Sequence, residues 1–167
     1  GVITVHSEAG HGSTFKIYLP GSGKSIVPES PMEKRPVGGT ETILVIDDET
    51  IITDVAEALL KNLGYQVVVV NDGAAGAEVV KRMGNRIDLV LLDMIMPGMD
   101  GGKTFDRIRE IQPSLPVILS SGYSINGLAA SIMERGCSGF IQKPFNVSEL
   151  AQKIREVLDQ GKAPSKV

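Results

Sequence analysis

The chain has 167 residues, of which 42% are apolar and 22% charged, and a formal net charge of −3, the profile of a globular domain of ordinary size with some extra segment. The negative balance and the lack of a Lys/Arg cluster argue against nucleic acid as a partner. No apolar run approaches the ~20 residues of a membrane span, and Cys137 is the only cysteine, which excludes an internal disulfide or a cysteine metal cluster and fits a reducing cytoplasm.

No signal peptide opens the chain. It begins at Gly1 without a Met, so a fragment of a longer protein is expected, whose remainder is free to be membrane-anchored although this fragment is not. Residues 1–20 alternate in strand fashion, Val2-Ile3-Thr4-Val5 and then Thr14-Phe15-Lys16-Ile17-Tyr18-Leu19, around Glu8-Ala9-Gly10-His11-Gly12. That pattern predicts a β-hairpin. Residues 21–40 hold Gly, Ser, Pro and charge without periodicity and read as a linker. Gly21-Ser22-Gly23-Lys24-Ser25 imitates the end of a phosphate-binding loop, but Tyr18 stands where its first Gly belongs and prolines follow where a helix should.

From residue 41 the pattern becomes strand–helix alternation. Strands are expected at 42–46, 65–70, 87–92, 116–120 and 139–142, and helices at 51–63, 74–83, 101–111, 125–135 and 147–158. The first helix places Ile51, Ile52, Val55, Leu59 and Leu63 at helical spacing with Gly64 as its stop, and the Val67–Val70 run reads as buried on both faces. Asn146 is the expected cap of the last helix, and residues 161–167 form a tail. Five such units predict an α/β fold: a doubly wound five-stranded parallel sheet with right-handed crossovers and helices on both faces.

Three carboxylates fall at the carboxyl ends of two of these strands: Asp47 and Asp48 after the first, Asp93 after the third. Strand carboxyl ends share one edge, and ligands bind in the crevice outside it. Anionic groups gathered there repel one another unless a cation sits among them, and an oxygen-only set suits a hard ion, Mg²⁺ or Mn²⁺. A lone strand-end Asp is more often a turn or helix cap, which is the reading for Asp88 and Asp100.

Residues 41–160 resemble the receiver domain of two-component response regulators. The resemblance rests on Asp47-Asp48, Asp93 followed by Met96-Pro97-Gly98-Met99-Asp100-Gly101, Ser121-Gly122, and Lys143-Pro144-Phe145, in order at four strand ends. It implies a (βα)5 flavodoxin-like sheet of order 2-1-3-4-5 and phosphoryl transfer from a phosphohistidine to Asp93. It further implies Mg²⁺ held by Asp47, Asp48, Asp93 and the Ile95 carbonyl, with Ser121 and Lys143 contacting the phosphoryl group. Pro144 would follow a cis peptide, and Phe140 would stand at an aromatic switch position, where a plain core role is an equal alternative. Ser120, one residue early, points elsewhere by strand alternation. Ile95 and Tyr123 replace polar residues that orient water in fast-hydrolysing members, which implies a slow phosphoryl clock.

The donor implied is a phosphohistidine domain, the protein's own kinase or a histidine phosphotransfer protein. Residues 125–158 form the face expected to respond, and to self-associate if the domain dimerises. Residues 1–20 resemble the end of a histidine-kinase ATPase domain, through Gly10-His11-Gly12-Ser13-Thr14-Phe15 and the strand ending at Pro20, so the chain reads as the C-terminal piece of a hybrid sensor histidine kinase. The rest of that ATP site is missing, and His6 and His11 are read as structural or solvated. Two rival classes stand beside this: a docking pseudo-receiver, and an aspartyl-phosphate hydrolase of the haloacid-dehalogenase type, which needs a second Asp where Ile95 stands.

Overall fold

A computed structural model describes residues 1–21, 37–122 and 128–160; the linker residues 22–36, Tyr123 with its neighbours to 127, and the tail 161–167 lie outside the described residues. The chain divides into two units, Gly1–Met32 and Glu33–Val167.

The first unit holds an antiparallel hairpin of β1 (Val2–Glu8) and β2 (Gly12–Tyr18), registered Val2 to Tyr18 and Glu8 to Gly12. Its turn uses Gly10 and Gly12 at φ 80° and 91°, a region that glycine enters without strain. Val2, Ile3, Val5, Phe15 and Ile17 are all exposed, so this hairpin buries no core of its own. His6 lies beside Glu8 at 3.2 Å on the exposed surface.

The second unit runs β3 (Thr42–Ile46), α1 (Thr50–Asn62), β4 (Gln66–Val70), α2 (Gly73–Met83), β5 (Leu89–Asp93), α3 (Gly101–Ile111), β6 (Val117–Ser121), α4 (Leu128–Glu134), β7 (Gly139–Gln142) and α5 (Val147–Gln160). The sheet order is β4-β3-β5-β6-β7, all parallel, which is 2-1-3-4-5 counted within this unit. Strand alternation sends Leu44, Ile46, Val90, Leu92, Val117 and Leu119 to one face, against α2, α3 and α4. It sends Ile43, Val45, Leu89, Leu91 and Ile118 to the other, against α1 and α5. Among the described residues no helix is long and apolar enough to cross a membrane.

Capping follows local chemistry. Asp72 and Asp100 accept from the amides of Ala75 and Lys103 at the starts of α2 and α3, and Asn146 and Glu149 exchange side-chain bonds to each other's amides at the start of α5. Gly76, an apparent weakness inside α2, has a packing reason: a Cβ there would lie 2.4 Å from Ile46 Cδ1.

Two expectations are corrected. The Val67–Val70 run is only half-buried, because β4 is an edge strand with β3 as its one sheet neighbour. In α1 the buried residues are Thr53, Ala56 and Leu60, while Ile51 and Val55 are 76% and 54% exposed. Small Ala56 allows close approach to the sheet, and Thr53 can be buried because its hydroxyl donates to the Thr50 carbonyl at 2.9 Å. The stripe of larger residues is thereby rotated outward.

Candidate functional site

β3 and β5 lie side by side at the centre of the sheet, so their carboxyl ends deliver Asp47, Asp48 and Asp93 to one place. One oxygen from each of the three carboxylates falls within 4.8 Å of the others. Asp47 and Asp93 are buried, at 3% and 6% exposure, and Asp48 is half-buried.

Backbone amides and neighbouring loops fix the first two carboxylates. Asp47 Oδ1 accepts from the amide of Glu49 at 3.1 Å, and its carbonyl accepts from Asn71 Nδ2 at 3.2 Å. Asp93 Oδ2 accepts from the amide of Ile95 at 2.8 Å. Behind Asp93 the start of α3 presses against the chain: a Cβ at Gly101 would lie 2.6 Å from the Asp93 carbonyl oxygen, so only glycine lets the helix approach this closely. Asp88, by contrast, accepts from the Thr42 amide and Asp100 caps α3, so both serve the backbone and not the cluster.

Lys143 arrives from β7. Its amide donates to the Ser121 carbonyl at 2.7 Å, the peptide to Pro144 is cis, and its ammonium spans Asp47 Oδ2 at 2.6 Å and Asp93 Oδ1 at 2.7 Å. Burial pushes the Asp93 carboxyl above the usual carboxylate range, and the Lys143 ammonium and the Ile95 amide pull it back only in part. Burial acts on the Lys143 ammonium in the opposite sense, but its bonds to Asp47 and Asp93 outweigh this and raise it. Three carboxylates thus face one ammonium, and the group remains short of positive charge.

Ser121 is buried at the end of β6. Ser120, paired with Asp93 in register, turns its hydroxyl to the Leu92 carbonyl at 3.5 Å. Ile95 is 58% exposed at the rim. Phe140 is half-buried and packs against the cluster under α3 and α4. Tyr123 lies outside the described residues.

Sequence reasoning missed that the Lys143 ammonium bridges Asp47 and Asp93. It also missed an apolar groove of about 450 Å³ beside the site, lined by Ile51, Ile52, Val55 and Phe145 together with Lys143 and Pro144. The signal was the surplus of large apolar residues on α1, more than one buried stripe requires.

The donor set is oxygen only and carries surplus negative charge, which fits a hard divalent cation. Asp47, Asp48, Asp93 and the Ile95 carbonyl are the groups that could hold it.

The sequence matches the response regulator receiver domain family over residues 43–155. The sensor kinase CckA of Brucella abortus (strain 2308) is 30% identical over 173 residues, an alignment covering 96% of this chain and 18% of CckA. The transcriptional regulatory protein ZraR of Klebsiella oxytoca is 34% identical over 116 residues, covering 70% of this chain and 26% of ZraR. Each of these relatives is therefore several times longer than the part this chain matches.

Among solved structures, a response regulator receiver domain protein from Clostridium thermocellum superimposes with a TM-score of 0.70 at 30% identity, over 73% of this chain and 97% of that one. The receiver domain of the sensor histidine kinase PA1611 from Pseudomonas aeruginosa PAO1, described with a magnesium ion coordinated in its active-site cleft, gives 0.66 at 28%, over 72% and 99%. A parallel five-stranded sheet with an acidic cluster at its switch point, matched over residues 43–155, makes this chain a member of the response regulator receiver domain family.

Proposed function

We propose that Asp93 accepts a phosphoryl group from a phosphohistidine, with Mg²⁺ or Mn²⁺ held by Asp47, Asp48, Asp93 and the Ile95 carbonyl. The observation that carries this reading is the Asp93 carboxylate itself, buried at the end of a central strand, oriented by the Ile95 amide, and placed beside Asp47, Asp48 and Lys143. An oxygen of Asp93 forms the new bond to phosphorus as the phosphorus–nitrogen bond breaks. The imidazole leaves with the electron pair and takes a proton from solvent. Lys143 offers an ammonium to the phosphoryl oxygens, and Ser121 a hydroxyl; both counter charge that builds up as one anion approaches another. Bound metal would supply the remaining positive charge.

A phosphohistidine donor must cover the rim to reach Asp93, and the exposed Ile51 and Val55 offer it apolar contact there. Two other readings are weaker: a pseudo-receiver would not need the intact acidic pair and Lys143, and a dehalogenase-type hydrolase would need an acid at Ile95.

The CckA alignment covers 96% of the chain and so extends well beyond the receiver unit. It supports the wider proposal that residues 1–20 end a histidine-kinase ATPase domain, that 21–40 link it to the receiver at 41–160, and that the chain is the C-terminal part of a hybrid sensor kinase working in the cytoplasm. This fragment, lacking the remainder of that ATP site, should not bind ATP.

The decisive experiment is incubation with acetyl phosphate and Mg²⁺ followed by mass measurement. A gain of about 80 Da, one phosphoryl group, is expected in the parent and absent in Asp93→Ala or without divalent metal. An equal gain in Asp93→Ala would sink the assignment. With a phosphohistidine donor, Ile51→Asp should slow transfer by roughly tenfold, the equivalent of about 1.4 kcal/mol of lost apolar contact, while leaving acetyl phosphate labelling unchanged.

A further inference from the structure

At the amino edge of the sheet, opposite the acidic cluster, the chain entering the domain is tied down by a second ion-pair network. Glu41, immediately before β3, takes both Nη atoms of Arg155 on its Oε1, at 3.1 and 3.0 Å, and a further bond from Nη1 on its Oε2 at 3.0 Å. Arg155 also donates to Asp159 Oδ1 at 2.9 Å and lies 6.0 Å over the ring of the buried Tyr65. Glu41 and Arg155 side chains are only 13% and 14% exposed, so the bidentate pair is largely sheltered from water.

The residues before Glu41 are fitted beneath this network. The Gly39 amide donates to the Leu63 carbonyl at 3.1 Å. A Cβ at Gly38 would lie 1.8 Å from the Leu63 carbonyl oxygen, and one at Gly39 would lie 2.4 Å from Arg155 Nη1 and 2.7 Å from the Tyr65 ring. Only bare backbone can pass there. What reads as the end of a flexible linker is a shaped strap, residues 37–41, held against the ends of α1 and α5.

The strap and the acidic cluster share one rigid element. α5 follows Lys143-Pro144 at the cluster, is closed at its start by the Asn146–Glu149 capping pair, and carries Arg155 near its other end. Its 14 residues span about 20 Å. Leu150, Ala151, Ile154, Val157 and Leu158 lock it to the sheet face, so displacement of its first turn has few ways to dissipate before Arg155.

We propose that the Glu41–Arg155 strap is a conformational relay: occupation of the Asp93 site re-engages Lys143, draws the start of α5 toward the crevice, and loosens the hold of Arg155 on the entering chain. This rests on the phosphoacceptor reading above. It adds an exit for the signal at the edge opposite the reacting carboxylate, directed at whatever precedes residue 37.

The test is amide exchange on the full chain with Mg²⁺, with and without beryllofluoride. It reads peptides covering 37–43 and, separately, 93–96. In the parent, beryllofluoride should speed exchange in 37–43 by at least about threefold, as expected for a local opening, and also alter 93–96. In Arg155→Ala and in Gly39→Ala, which displaces the strap without removing charge, the 37–43 response should vanish while that of 93–96 persists. Glu41→Gln, a milder change, guards against a folding failure in Arg155→Ala. A parent whose 93–96 peptide responds while 37–43 is unchanged or slower overturns the relay alone, as does a response that survives in the variants. Silence in both peptides overturns the phosphoacceptor reading and the relay with it.

Discussion

The two edges of the sheet solve the same electrostatic problem in opposite ways. At the amino edge one guanidinium meets Glu41 and Asp159 in a bidentate, multiply bonded arrangement. The Arg155 guanidinium is held firmly charged, its bonds to Glu41 outweighing the burial that opposes them. At the carboxyl edge one ammonium is shared between two buried carboxylates with a third close by. The first network has its charges matched and holds the entering chain without need of an added ion. The second is left short of positive charge, and the proposed uptake of a metal ion and then a phosphoryl group rests on that deficit. Ion pairing in one small domain is thus structural or reactive according to how completely its charges are matched.

Removing the cation at each edge gives the largest effect and the clearest contrast. Lys143→Ala leaves two buried carboxylates facing each other, and Arg155→Ala takes the bidentate guanidinium from the sheltered Glu41 carboxylate; each should cost about 2 to 3 kcal/mol in urea unfolding without divalent metal. Adding Mg²⁺ should restore most of the loss in Lys143→Ala and more than it stabilises the parent, because a metal held there would neutralise the same carboxylates that Lys143 does. It should stabilise Arg155→Ala only as much as the parent, leaving that variant's deficit unrepaired. Equal Mg²⁺ responses in both variants would erase the distinction between the edges. The sheltering of Lys143 also means that its loss cannot be treated as a harmless surface change.

A smaller effect concerns pH. The folded-state value of Asp93 is raised, so below the ordinary carboxylate value of about 3.9 it is neutral in both folded and unfolded chains and costs nothing. As pH climbs from there through the raised value, the unfolded chain loses its proton first, and stability falls. Metal-free Asp93→Asn should therefore gain stability relative to the parent as pH rises toward 7, and that relative gain should close as pH drops toward 4. A constant gap across that range would show that the carboxyl carries no such burden.

The smallest effect is kinetic. Ile95 is exposed at the rim and offers no side-chain hydrogen bond to an attacking water. Ile95→Asn should shorten the aspartyl-phosphate lifetime by a few-fold, on the order of 1 kcal/mol in the barrier, read as phosphate release at fixed Mg²⁺. An unchanged or longer lifetime would remove this position from the control of hydrolysis.

The placement of the strand-end residues was legible because parallel strands bring their carboxyl ends to one edge. Asp47, Asp48, Asp93, Ser121 and Lys143 all follow apolar runs, and the parallel architecture that makes those ends converge is itself readable from periodicity. The helix caps at Asp100 and Asn146 were legible from the local sequence. What escaped was set by three-dimensional competition. Apolar spacing in α1 marks a stripe through Ile51 and Val55, yet Thr53, Ala56 and Leu60 are buried, because a small residue and a self-satisfied hydroxyl permit closer packing. Glu41 and Arg155, 114 positions apart in the sequence, are invisible to any local pattern. Gly38-Gly39 looks like linker until the Leu63 carbonyl is seen against it.

The half-buried position of β4 has a consequence for the life of the protein outside its folded state. Four consecutive valines, Val67–Val70, form an outer strand whose second flank has no sheet partner among the described residues. Such a run, β-branched and uncharged, is a ready template for strands from other molecules. Gln66 before it, and Asn71 and Asp72 after it, confine the sticky stretch to a single short strand. Any substitution that raises the population of partly opened molecules should therefore appear first as lost yield and turbidity, well before it is felt as lost signalling.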